Sequence, residues 1–154
     1  MGPRTLKAIT TCRAGVAVLA CAVAAPTQAQ SNVDPTDKFS WNENCGWMNW
    51  HDAGTSPGQH GVFAHYSSGY LSGFIWCENI GWVNIGNGTG PYLNTTGENS
   101  GVNLAPNSGI LSGLAWSENA GWINFGGGAM TDPPNPARLD PTGLRLRGYA
   151  WSEN

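Results

Sequence analysis

Charge is scarce in this chain. Asp, Glu, Lys and Arg make up 11% of 154 residues, less than half of the roughly 25% typical of globular domains. That excludes a highly charged disordered tail and a polybasic nucleic-acid binder, both of which depend on dense charge. Long apolar runs are missing as well. The longest, residues 14–25, spans twelve residues, short of the about 20 needed to cross a bilayer as a helix, so no transmembrane span is expected. Strong helix formers do not recur at a 3.6-residue period, which argues against a helical bundle. No Gly-x-Ser-x-Gly, His-Glu-x-x-His or phosphate-loop motif occurs, so the signatures of the common hydrolase, zinc-protease and nucleotide-binding chemistries are lacking.

What the amino terminus does contain reads as an export signal. Arg4, Lys7 and Arg13 flank the start of the apolar run, the first acidic residue is Asp34, and Thr27-Gln28-Ala29 ends in small residues. Residues 1–29 are therefore expected to be a secretory signal peptide cleaved after Ala29, giving a secreted, cell-surface or periplasmic protein. Val18-Leu19-Ala20-Cys21 looks like a lipobox, although Leu19 suits it poorly, and lipidation at Cys21 is the lesser expectation. Cleavage leaves Lys38, Arg138, Arg145 and Arg147 against all ten acidic residues, a formal charge of −6. Such a chain has no basic surface for nucleic acid. Cys45 and Cys77 are the two cysteines that remain, and an oxidising compartment makes a disulfide between them the expectation. The bond would draw the turns of the first two units together.

Glycine and tryptophan are plentiful, at 22 and 8 residues. Glycine disfavours helix by up to about 1 kcal/mol per position relative to alanine. The tryptophans fall in a repeat. F-S-W-N-E-N-C-G-W-M-N-W from Phe39, F-I-W-C-E-N-I-G-W-V-N-I from Phe74, L-A-W-S-E-N-A-G-W-I-N-F from Leu114 and Y-A-W-S-E-N from Tyr149 share one pattern, their first tryptophans spaced by 35, 40 and 35 residues. A Ser-Gly-containing stretch precedes three of the copies, at residues 68–73, 108–113 and, more loosely, 142–148. Periods of this length mark repeat architectures whose units bury apolar faces against neighbours.

Apolar alternation, then E-N-x-G, then alternation again reads as a β-hairpin. A four-residue E-N-x-G loop puts Leu114, Trp116, Ile123 and Phe125 on one wholly apolar face, whereas a three-residue loop mixes Asn124 with Leu114 and Trp116. The four-residue loop is expected on that ground. The core then contains Phe39, Trp41, Met48 and Trp50, and Phe74, Trp76, Val83 and Ile85. The fold expected is all-β, with tandem Trp/Gly/Asn-rich repeats of about three antiparallel strands each. A simple parallel solenoid would stack Glu43, Glu78, Glu118 and Glu153 at about 4.8 Å with like charges opposed, so a propeller-like or threefold barrel-like arrangement is favoured. Residues 30–38 read as a short linker and 39–154 as the repeat domain, with units near 39–61, 62–101, 102–136 and 137–154. The last unit is incomplete, and a piece of a longer array is preferred to a closed ring.

Under this register the opposite face carries Trp47 with Asn49, Trp82 with Asn84, and Trp122 with Asn124, beside small residues such as Ala115 and Ser117. Indole planes stack on sugar rings and amides bond hydroxyls, so these six residues are the candidate ligand-binding set. Against it stands a plainer reading, in which the rings cover small neighbours and the asparagines satisfy loop backbone. The repeated Glu-Asn pair could supply calcium oxygens or accept turn N–H groups, and the second is preferred. His51, His60 and His65 with Asp52 match no zinc spacing, and neither a metal nor a cofactor is expected. Equivalent glutamates do not provide the unlike environments acid–base catalysis needs. The expectation is an exported non-enzymatic protein binding carbohydrate or another surface polymer. A structural surface component that self-associates, or a non-catalytic fragment of a larger secreted enzyme, are the alternatives.

Overall fold

Turn chemistry sets the hairpins. In a computed structural model describing residues 31–54, 60–127, 132–143 and 145–152, the residue after the first tryptophan caps the loop that follows in the first and third hairpins. Asn42 Oδ1 accepts the N–H groups of Asn44 and Cys45 at 2.8 and 3.1 Å, and Ser117 Oγ accepts those of Asn119 and Ala120, both at 3.3 Å. Gly46, Gly81 and Gly121 then take φ of +74°, +74° and +72°, the left-handed position that ends a three-residue hairpin loop. The expected four-residue loop is thus corrected to three residues, with Asn42 opposite Gly46, Cys77 opposite Gly81 and Ser117 opposite Gly121.

The strands in chain order are β1 (Phe39–Asn42), β2 (Gly46–Asn49), β3 (Val62–His65), β4 (Tyr70–Cys77), β5 (Gly81–Gly86), β6 (Val102–Leu104), β7 (Leu111–Ser117), β8 (Gly121–Asn124), β9 (Arg138–Leu139), β10 (Leu146–Arg147) and β11 (Trp151–Ser152). The fold is all-β and the named strands pair antiparallel. Hairpins β1–β2, β4–β5 and β7–β8 lie side by side with β11 in the order β1-β2-β4-β5-β7-β8-β11. Among the described residues β1 and β11 are not paired with each other. Successive hairpins are two strands apart, so their turns step by about 10 Å, twice the spacing of a simple stack.

A second set of pairings uses the first halves of β4 and β7, where β3 pairs with residues 70–73 and β6 with residues 111–113. Each long strand changes partners at a glycine, Gly73 (φ +100°) and Gly113 (φ +92°). A Cβ there would collide with the carbonyl oxygen of Gly61 or Gly101, so the Ser-Gly stretches of the sequence mark close backbone crossings. One hydrophobic cluster takes side chains from both sets: Val62, Leu71, Val102, Leu104 and Leu111 from one, and Ile75, Val83, Ile85, Ala115 and Phe125 from the other.

A one-residue change of register turns one strand of each hairpin over. Trp50, Val83, Ile85 and Phe125 are buried, and Met48 and Ile123 pack half-buried against them, in line with the expected core. Phe39, Trp41, Trp76 and Trp116 are exposed instead, and Phe74 and Leu114 are half-buried. Ile75, Cys77, Ala115 and Ser117 take the interior positions. Side-chain capping of the loops outranks the apolar alternation that favoured the other register.

The segment read as a linker is packed where it is described. Val33 is buried in the core cluster, Ser31 Oγ donates to Val62 O at 2.7 Å, and Asn32 exchanges two side-chain hydrogen bonds with the backbone of Ala64. Residues 1–29 with Cys21, and Glu153, lie outside the described residues.

Candidate functional site

Seven of the eight tryptophans share the outer face of the hairpin sheet. Trp41 opposes Trp47, Trp76 opposes Trp82, and Trp116 opposes Trp122 within hairpins. Between hairpins, Asn49 opposes Trp76, Asn84 opposes Trp116, and Asn124 opposes Trp151. The face therefore repeats an Asn-Trp-Trp row stepped from one hairpin to the next, with exposures from 38% at Trp82 to 58% at Trp151. Trp76 meets Trp82 edge-to-face at 4.9 Å and 67°, and Trp116 meets Trp122 at 4.7 Å and 62°. Such pairs contribute about 0.5–1.5 kcal/mol beyond area burial and fix the rings as corners.

All six expected ligand-binding residues, Trp47, Asn49, Trp82, Asn84, Trp122 and Asn124, lie on this face. Their neighbours differ from the expectation: Ala115 and Ser117 are buried on the other side, and Trp41, Trp76, Trp116 and Trp151 stand in their place. The alternation that defines a strand carried this signal, and only the register concealed it.

The asparagines serve the backbone with their oxygens. Asn84 Oδ1 accepts the Gly86 N–H at 2.9 Å, Asn124 Oδ1 the Gly126 N–H at 2.8 Å, and Asn49 Oδ1 the His51 N–H at 3.0 Å. Asn49 also spends its amide nitrogen, on Asp52 Oδ1 at 2.9 Å. Asp52 is gripped by Lys38 Nζ at 2.6 Å, and that bond, followed by the one from Asn49, holds its carboxyl below the usual range. Among the described residues, Asn84 and Asn124 keep their amide N–H donors unpaired.

Two residues outside the repeat join the face. His60 packs edge-on against Phe74 and Trp82 at 5.8 and 5.3 Å. Glu98, on the loop after β5, lines a cavity of about 320 Å³ with Trp116, Trp122 and Asn84. Neither residue carries a repeat signature, so the sequence pattern did not place either of them on this face.

The three histidines separate. His51 Nδ1 lies 2.7 Å from Val33 O, His60 is on the tryptophan face, and His65 stacks on Tyr70 with Nε2 2.9 Å from Ser72 Oγ. Burial lowers the His65 pKa. Among the described residues no three His, Cys, Asp or Glu side chains converge on a common point for a metal.

The Glu-Asn pairs stitch one hairpin to the next. Glu78 Oε2 accepts the Trp47 N–H at 3.3 Å, Asn79 Nδ2 donates to Asn44 O at 3.1 Å, and Asn119 Nδ2 donates to Ile80 O at 3.0 Å. The turns of the first two units thus meet as expected, yet without the expected disulfide: Cys45 and Cys77 are both free. Both thiols are buried, and desolvation followed by the nearness of Cys45 pushes the Cys77 thiol up to about 12. No family model, no curated protein and no solved structure matches this chain.

Proposed function

We propose that the chain is an exported, non-enzymatic tandem β-repeat protein that binds carbohydrate or a related surface polymer through its Trp/Asn face. The observation that carries this reading is the row of seven solvent-facing tryptophans. Fully burying one large apolar side chain is worth about 1.5–3 kcal/mol, so leaving seven tryptophans 38–58% exposed forgoes stability on a scale that a binding role explains. Contiguous exposed apolar surface of this kind marks interaction sites. Indoles provide flat apolar planes for sugar rings, and the open amides of Asn84 and Asn124 provide donors for hydroxyls. Several weak corners engaging one polymer would gain avidity through multivalency.

The alternative, a structural component that packs copy against copy, uses the same apolar surface. A glycan array with the wild-type chain and a Trp82→Ala, Trp122→Ala variant separates the two. Binding by the wild type that the variant loses supports the proposal. No glycan binding, together with tryptophan-dependent assembly in sedimentation, supports the structural alternative and overturns it.

A further inference from the structure

The corner of Trp116 and Trp122 differs from the others in having a wall and a charge. The loop after β5 folds back over the sheet face, bringing Gly97 close enough that a Cβ there would lie 3.9 Å from the Trp122 ring. Asn99 Oδ1 accepts the N–H groups of Thr95 and Thr96 at 2.9 and 3.0 Å, and Ser100 Oγ donates to Gly97 O at 2.8 Å. Tyr92 anchors the loop's base, donating from its hydroxyl to Leu71 O at 2.9 Å. The wall is therefore preformed, which lowers the ordering cost of binding. Its cavity of about 320 Å³ is at the small end of the about 300–1,000 Å³ seen for ligand pockets, a size suited to a single sugar residue and its immediate linkages.

Among the described residues, the formal charge lining that cavity is negative. Glu98, a carboxylate residue, lines it together with Trp116 and Trp122, and indole faces carry a negative quadrupole. Asn84, Asn87 and Ser100 complete the polar lining, and among the described residues no lysine, arginine or histidine lines the cavity. Asn87 Oδ1 is occupied by Thr89, through its N–H and its hydroxyl at 3.0 and 2.7 Å, as Asn84 Oδ1 is by Gly86. Both asparagines are thereby set to offer N–H donors instead of acceptors. A carboxylate beside two indoles favours a cation over a ring face, and amide donors favour hydroxyl oxygens around it.

Building on the carbohydrate reading above, we propose that the Trp116–Trp122–Glu98 corner is a subsite for a sugar residue bearing a free ammonium group, a hexosamine unit within the bound polymer. The ammonium sits against the indoles with Glu98 as counter-ion, while Asn84 and Asn87 hold ring hydroxyls.

The test titrates the full chain with glucosamine oligosaccharides and with the same oligosaccharides fully N-acetylated, followed by calorimetry. The amine form should bind roughly tenfold more tightly than the acetylated form. Glu98→Gln should erase that preference by weakening the amine form about tenfold, and added salt should weaken the amine form more than the acetylated form. Equal binding of the two forms, or a preference that survives Glu98→Gln, overturns the subsite but leaves the carbohydrate reading standing if Trp82 and Trp122 are still needed. Binding of tetramethylammonium without any binding of amino sugars overturns the sugar assignment. A blank glycan array with no response to either oligosaccharide overturns both readings.

Discussion

The corner of Asn49, Trp76 and Trp82 and the corner of Asn84, Trp116 and Trp122 come from the same motif and share the same register. Their chemistry differs because the loops beside them differ. In the first, Asn49 is spent at both ends on His51 and Asp52, and His60 leans edge-on against Trp82. In the second, Asn84 keeps its donor open and Glu98 closes one side. The repeated hairpin thus supplies a constant aromatic frame, and the irregular segments between hairpins decide what each corner can hold.

The largest expected effect breaks the frame under either corner. Gly73→Ala, beneath the first, or Gly113→Ala, beneath the second, places a Cβ against a backbone carbonyl at a left-handed φ. Each should cost about 3 kcal/mol or more, read as a shifted urea midpoint.

Next come the turns. Ser117→Ala removes the acceptor for two loop N–H groups and should cost about 1–2 kcal/mol. Cys77 occupies the equivalent position in the β4–β5 hairpin, where its thiol is buried and desolvation pushes it up to about 12. Native Cys45 and Cys77 should therefore resist alkylation at pH 8 and react on unfolding; rapid reaction of the folded chain would contradict their burial.

The asparagines sharpen the comparison further. Asn49→Ala should destabilise by about 1 kcal/mol more than Asn84→Ala, since it loses more hydrogen bonds, each worth about 0.5–1.5 kcal/mol. Oligosaccharide affinity should respond in the opposite order, falling for Asn84→Ala and not for Asn49→Ala.

The smallest effect is one of pH. Asp52, whose carboxyl pKa is lowered from 3.8 by Lys38 and then Asn49, contributes stability that is present above the ordinary carboxylate range. That contribution is lost as pH falls through its depressed folded-state value. With its side chain 39% exposed, solvent screening keeps the change below about 1 kcal/mol. Urea midpoints measured from pH 6 to pH 3 should fall slightly more for the wild type than for Asp52→Asn.

Much of this was legible from residue pattern alone. The W-x-E-N copies announced all-β hairpins, their glycines marked the turns, and Val83, Ile85, Trp50 and Phe125 declared themselves as core. Register did not, because Asn42 and Ser117 look like ordinary polar strand residues until their oxygens are seen capping the loop. Ranking tryptophan by hydrophobicity then sent Trp41, Trp76 and Trp116 to the wrong face. Glu98 gave no signal because it lies outside the period, and His60 stood out only as one of a histidine cluster, since chain folding alone brings both beside the rings.

Exposure of the tryptophan ladder is the point on which register, site and function all depend. Hydroxyl-radical footprinting of the native chain, mapped by mass spectrometry, reads it residue by residue. Heavy labelling of Trp41, Trp47, Trp76, Trp82, Trp116, Trp122 and Trp151 with protection of Trp50 is the expected result. Protection of Trp41, Trp76 and Trp116 to the level of Trp50 would contradict it and restore the four-residue loop.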